Sequence, residues 1–186
     1  MNKVNRQLKI LITLNEMQNF FGGVQTFTLT LYNELIKQTK YSIDIYTYKK
    51  GRNSFFKKFG LPESNIIKEK KLFLNIYKEY DLIICNSNKT LKRVKNLEGK
   101  KIFISHGILA KSDFPRQGAD IYLAVSEEVQ KNIIKQGFPI VKIIRNPIDC
   151  KYYNYIGCSE KLKNITFLDR RRSFPFINDL KKMGFN

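Results

Sequence analysis

The sequence predicts an α/β protein: a doubly wound parallel sheet covered by helices on both faces. Short apolar runs rich in β-branched and aromatic residues alternate along the chain with stretches of helical period. Glycine and polar residues gather directly after those runs, where strands would end. With 186 residues, 42% of them apolar and 13% aromatic, the chain is large enough for one sizeable core and a remainder.

The elements follow in order. "LKILITL" (8–14) reads as a buried first strand. A helix is expected over 24–37, with Val24, Phe27, Leu31 and Leu35 on one face at spacings of three and four. Residues 42–48 alternate apolar and polar and are rich in Ile and Tyr, the pattern of a second strand. The next thirty residues, divided by Gly60 and Pro62, are expected to form short helices and loops. "DLIIC" (81–85) is a short buried strand, 88–97 a helix, and "KIFIS" (101–105) another strand. "ADIYLAVS" supplies a strand ending at Ser126, and a helix over 127–136 is closed by Gly137. "VKIIRNPID" is the last strand of the set with its turn.

Composition shifts after Asp149. The expected organisation is one domain over 1–149, a linker over 150–164, and a strand-helix extension over 165–186. One strand-helix unit cannot bury its own apolar face, so the extension must pack on another body.

No apolar run reaches the roughly 18 residues that span a bilayer, and Asn15 and Glu16 follow the first strand too soon for a signal peptide. A cytosolic protein is expected. Cys85, Cys150 and Cys158 form no C-x-x-C pair and His106 is the only imidazole, so reduced thiols are expected and no metal site is encoded.

The net charge of +18 should attract phosphates, whether on anionic lipids, nucleotides or nucleic acid. Lysine-rich coding bias explains part of it equally well, since alanine occurs only at 110, 119 and 124. The charge is concentrated at 49–78, where nine basic residues stand against two acidic ones, interleaved with Phe55, Phe56, Phe59, Phe73 and Tyr77. Lysines beside insertable rings suit an anionic membrane surface, with Lys57, Lys58, Lys70 and Lys71 as the candidate contacts. Nucleic acid is not an expected partner, because no DNA- or RNA-binding motif accompanies the charge.

Four strand ends carry the candidate chemistry: Gly22 and Gly23, His106 and Gly107, Ser126 and Glu127, and Asn146 to Asp149. In an open parallel sheet these ends share one edge, and ligands bind in the crevice there. Paired glycines before a helix can let a phosphate approach the free amides, or can serve a tight strand-to-helix turn. His106 can bond a substrate hydroxyl or exchange a proton; packing is the commoner use of a lone histidine. Ser126 can cap the following helix, with Glu127 and Glu128 at its positive end, and "RNPID" reads locally as a turn.

Taken in order, "LKILITL", "GGVQTFTLTLYNELIK", "YDLIICNS", "ISHG", "ADIYLAVSEEVQKNIIKQG" and "VKIIRNPIDCKYY" resemble the amino-terminal half of a GT-B glycosyltransferase, most like the retaining enzymes of family 4. The resemblance covers 8–153. It implies two Rossmann-like domains across a cleft, the first holding the acceptor and the second the nucleotide-sugar. It further implies that Gly22 and Gly23 approach the donor diphosphate, that His106 contacts the transferred sugar or stabilises the transition state, and that Glu127 lies on the acceptor side. Asn146 and Asp149 match a structural turn into the interdomain linker, with Pro147 where glycine is usual.

"NITFLDRRRSFPFINDLKKMG" resembles the opening of the donor domain, making Arg170 the matching phosphate contact, although the family's following lysine-glycine is replaced by "SFPFI". The family's E-x7-E segment is absent from these residues. The implied activity is sugar transfer from a nucleotide-sugar to a glycan or lipid-linked acceptor of a surface polysaccharide or glycolipid. No separate cofactor or metal is implied, and a second chain supplying the donor domain is an expected partner. A rival reading from another class is a noncatalytic basic module for an anionic membrane or a partner chain.

Overall fold

The structure is a computed structural model that describes residues 6–16, 22–38, 41–49, 60–67, 79–108, 115, 117–138, 141–147 and 182. The chain divides into two compact units, Met1–Asp149 and Cys150–Asn186. Of the second unit only Lys182, in a helix, is among the described residues.

The first unit contains a seven-stranded sheet, every pairing parallel: β1 (Leu8–Glu16), β2 (Tyr41–Lys49), β3 (Ile66–Ile67), β4 (Leu82–Cys85), β5 (Lys100–Ser105), β6 (Ile121–Ala124) and β7 (Val141–Ile143). Their spatial order is β3-β2-β1-β4-β5-β6-β7. The order reverses between β1 and β4, so the carboxyl ends of those two strands flank the crevice that open sheets of this type present to ligands. The observed class is the doubly wound, Rossmann-like sheet expected from the alternation of apolar runs and helical stretches.

Helix α1 (Gly23–Ile36) covers one face, with Phe27, Leu29 and Tyr32 packed on Ile10, Ile12 and Leu14 of β1, Ile43 and Ile45 of β2, Ile84 and Ile104. Helix α2 (Asn88–Val94) covers the other, where Leu91 and Val94 pack on Leu11, Tyr46, Ile83, Cys85 and Phe103. Helix α3 (Glu127–Lys135) buries Val129 and Ile133 against Ala124 and Val141. Because side chains alternate along a strand, Ile10, Ile12 and Leu14 serve α1, while Leu11 serves α2. Each fully buried Leu or Ile contributes about 2 kcal/mol, so central strands buried on both faces hold the unit together.

One expectation is extended and two are corrected. Val24, Phe27, Leu31 and Leu35 do pack on one core cluster, Phe27 fully buried and the others partly, and the buried face of α1 widens to include Thr28, Leu29 and Tyr32. Two of these residues are polar and tolerate burial because each has a partner. Thr28 Oγ1 accepts a hydrogen bond from Asn86 Nδ2, and Tyr32 Oη accepts one from Asn65 Nδ2. The described part of the basic segment, expected as short helices and loops, is a single 3-10 turn (Glu63–Asn65) followed by β3, which buries Ile67 against β2. A two-residue strand carries no readable period. Finally, α2 ends at Val94 rather than at 97, the chain tightening through a Leu97 N–H to Val94 carbonyl bond of 3.0 Å.

At the amino-terminal edge two aspartates act as clips. The Lys9 N–H donates to Asp81 Oδ2 at 2.8 Å while the Asp81 N–H donates to the Lys9 carbonyl at 2.9 Å. The Lys101 N–H donates to Asp120 Oδ2 at 2.6 Å while the Asp120 N–H donates to the Lys101 carbonyl at 2.8 Å. Each aspartate thus continues the ladder past the start of its own strand and holds the register of the neighbour. The Lys9 amide, followed by Arg6 at 2.7 Å, keeps the Asp81 carboxyl below the usual carboxylate range.

Candidate functional site

Three connections at the carboxyl edge extend the sheet ladder by one residue. The Asn86 N–H donates to the Thr13 carbonyl at 3.3 Å, the Val125 N–H to the Ser105 carbonyl at 3.2 Å, and the Ile144 N–H to the Ala124 carbonyl at 2.9 Å. The strands therefore run on until side chains of "CNS", "SHG", "AVS" and "IIRN" stand along one edge. Gly22, His106, Glu127 and Asn146 are all in the segments that follow strands, as the sequence predicts.

His106 sits directly after β5, partly buried, with its ring edge-on to Phe27 of α1: centroids are 4.9 Å apart and the planes make an angle of 78°. Its Nε2 lies 2.8 Å from Oδ1 of Asn86, the first residue after β4. Burial pushes the imidazole from its ordinary value down to about 4, so it is neutral at physiological pH. Asn86 is itself buried, and its Nδ2 reaches the Thr13 carbonyl at 3.1 Å and Thr28 Oγ1 at 3.4 Å. Asn86 and Phe27 thus hold the imidazole, while Thr13 of β1 and Thr28 of α1 hold the Asn86 amide. On the α2 side of the sheet, Thr13 Oγ1 donates to Thr90 Oγ1 at 2.8 Å, and the Thr90 N–H donates to Ser87 Oγ at 3.2 Å.

Gly22 and Gly23 do not serve a tight turn at their own positions. Gly22 is extended, with φ −100° and ψ 164°, and Gly23 is the first helical residue of α1; neither has a positive φ. A Cβ on Gly23 would meet nothing within 4 Å, and one on Gly22 would meet only the movable end of Gln25, at 2.6 Å. Among the described residues, no contact at the start of α1 demands glycine. Helices α2 and α3 begin differently: Ser87 caps α2 and Ser126 caps α3, accepting from Thr90 and Val129 N–H groups at 3.2 and 3.3 Å. At α1 the cap position supplies no side chain and the first turn holds no acidic residue, which leaves its amides and positive dipole end uncompensated by those means.

Glu127 opens α3 on the exposed side, where it complements the helix dipole and stands 3.7 Å from Arg145 Nη2. Ser126 holds the capping role. Asn146 is exposed in the segment after β7. Asp149, Arg170, Lys57, Lys58, Lys70 and Lys71 lie outside the described residues, as do Cys150 and Cys158. Cys85 is free and buried; burial pushes its thiol up to about 12, against a Thr13 hydrogen bond that lowers it, so it is unreactive. Among the described residues no helix is long and apolar enough to cross a membrane.

Asn86, Thr13, Thr28 and Phe27 were not singled out as site residues by the sequence. The available signal was an asparagine directly between a buried strand and a serine N-cap. Asn15, at the end of β1, adds a buried Oδ1 that has no hydrogen-bond partner.

No protein-family model matches the sequence, and no curated protein aligns with it significantly. Among solved structures, the chain is similar to the lipopolysaccharide outer core galactosyltransferase WaaB in its apo form, with a TM-score of 0.58 and 16% identity. The match covers 76% of this chain and 46% of WaaB, so the chain spans less than half the length of that protein. The likeness is one of fold: the parallel sheet and its helices have the architecture of one half of a GT-B glycosyltransferase.

Proposed function

We propose that this chain is the acceptor-side half of a glycosyltransferase of the GT-B type, of the family-4-like retaining kind. It would transfer a sugar from a nucleotide-sugar to a glycan or lipid-linked acceptor in surface polysaccharide or glycolipid synthesis. The observation that carries the reading is the carboxyl edge of the sheet at the β1–β4 reversal. There α1 starts without a capping side-chain bond, and its Phe27 packs on a neutral imidazole that Asn86, after β4, also holds. Such an edge offers amides to a diphosphate and a hydrogen-bonding ring to a sugar.

In this reading Gly22 and Gly23 admit the donor diphosphate, and Arg170 is the further phosphate contact that the resemblance implies. His106 meets the transferred sugar, Glu127 lies toward the acceptor, and Asn146 and Asp149 shape the exit turn. WaaB is roughly twice as long as the matched region, which supports a second Rossmann-like half completing the cleft, in the same polypeptide or on another chain. The chain alone is expected to bind donors weakly and to be inactive in transfer. Titrating the purified chain with UDP-, GDP- and TDP-hexoses by calorimetry tests the reading. Detectable binding of one class, weakened at least tenfold by Gly23→Val, supports it; binding of none defeats it.

The net charge of +18 favours an accompanying membrane contact on the cytoplasmic face. Salt-sensitive binding to anionic liposomes should disappear when Lys57, Lys58, Lys70 and Lys71 are reversed to Glu. Liposome binding without any sugar-nucleotide binding would favour the noncatalytic module instead.

A further inference from the structure

The proton on His106 can be placed from the hydrogen bonds around Asn86. A backbone carbonyl only accepts, so the amide atom 3.1 Å from the Thr13 carbonyl must be the donor Nδ2, and the network fixes the amide orientation. Reversing the amide would set two acceptor oxygens against each other there. Nδ2 has two hydrogens and finds two acceptors, the Thr13 carbonyl and Thr28 Oγ1. Oδ1 is thereby left facing His106 Nε2 at 2.8 Å, and since Oδ1 only accepts, Nε2 must carry the hydrogen. In a neutral ring the other nitrogen, Nδ1, then holds a lone pair. The ring cannot swing freely to exchange these roles, because Phe27 packs edge-on against it.

We propose that Asn86 is the positioning residue of this site, fixing His106 as the Nε2–H tautomer so that Nδ1 serves as an acceptor for a ligand hydroxyl and disfavours phosphate oxygen. The tautomer assignment stands on the hydrogen bonds alone; the ligand clause rests on the glycosyl-transfer reading. Thr28 and Phe27 belong to α1, the helix that begins at Gly23, so one element holds both the amide and the ring in place. Burial is the cause of the ring's low proton affinity, and no charge on the described residues adds to it.

Because the chain has a single histidine, its imidazole nitrogens can be read without ambiguity by heteronuclear NMR of the uniformly 15N-labelled full chain. At pH 7 the unmodified protein should show a pyrrole-type Nε2 and a pyridine-type Nδ1. A predominant Nδ1–H form, or the averaged signals of a freely exchanging ring, would overturn the proposal. Asn86→Asp should raise the proton affinity of His106 at least about tenfold, through a carboxylate on Nε2–H. Unchanged affinity in a folded Asn86→Asp protein counts against it. Thr28→Val leaves the Thr13 carbonyl contact in place and should preserve the Nε2–H signature; its loss would contradict the assignment. For the ligand clause, UDP-galactose and UDP-glucose should move the Nδ1 signal where UDP and inorganic phosphate do not. A direct Nδ1 response to inorganic phosphate refutes that clause, whereas absence of binding by all four refutes the glycosyl-transfer reading and leaves the tautomer standing.

Discussion

At the amino-terminal edge of the sheet, Asp81 and Asp120 each exchange two hydrogen bonds with the neighbouring strand, and Gly99 holds a φ of +108° that the tight return into β5 requires. At the carboxyl edge, Gly22 and Gly23 have ordinary backbone angles, α1 starts without a capping side chain, and Asn15 Oδ1 is buried without a partner. The first edge is closed by its own groups. Among the described residues the second retains groups that its own folding does not use, as the proposed ligand contact would require. The difference assigns stability to the first edge and, under the proposed function, ligand binding to the second.

The largest expected effect is at the closed edge. A Cβ at Gly99 would be driven onto the Tyr80 carbonyl oxygen, a backbone atom that cannot swing aside, at a φ that L-residues avoid. Gly99→Ala should cost about 3 kcal/mol or more in urea unfolding. A loss under about 1 kcal/mol would mean that this edge yields more than its hydrogen bonds suggest.

Acid sensitivity should arise at the open edge. The His106 imidazole drops from an ordinary 6.5 to about 4 in the folded chain, so the unfolded chain binds the proton first as pH falls. Stability should decline from about pH 6.5 toward pH 4 by up to about 1.4 kcal/mol per unit, then level off below that range. His106→Gln should flatten that part of the profile. The Asp81 carboxyl, held low, contributes stability that is lost only as pH falls through the carboxylate range, and its contribution should persist in the His106 variant.

Asp120→Ala removes one clip acceptor at an exposed site and should cost about 1 kcal/mol by thermal or urea unfolding. Gly23→Ala sharpens the contrast most, although its effect on stability is the smallest. With helical geometry and no described atom within 4 Å of the Cβ, alanine should stabilise the chain by about 0.5 kcal/mol. The same change should weaken sugar-nucleotide binding measured by calorimetry. Unchanged affinity with a gain in stability would remove the ligand explanation for that glycine.

Much of the sheet was legible in order. "LKILITL", "DLIIC", "KIFIS" and "ADIYLAVS" are continuous or near-continuous apolar runs because their strands lie inside a sheet covered on both faces; β4 and β6 lie within their segments, while β1 runs on to Glu16 and β5 begins at Lys100. Ser126 and Gly137 marked the limits of α3 by their own chemistry: a hydroxyl that caps amides, and a residue that adopts φ +90° without strain. The apolar face of α1 was legible but incomplete, because Thr28 and Tyr32 look like solvent-facing residues until Asn86 and Asn65 supply their partners. Asp81 and Asp120 were read simply as strand starts, since their acceptors are used 72 and 19 residues away in sequence.

What the sequence determined by itself is local: where the chain is apolar enough to be strand, where a helix can begin or stop, and that its single histidine follows a strand. What the tertiary structure decided is which strands are neighbours, and therefore which side chains meet. Asn86 and His106 are 20 residues apart in sequence, and Thr13 and Asn86 are 73 apart. Parallel pairing of β1 with β4 and β4 with β5 brings their ends together. The tautomer of one imidazole, and with it the chemistry this edge can offer, depends on hydrogen bonds that exist only once those strands are side by side.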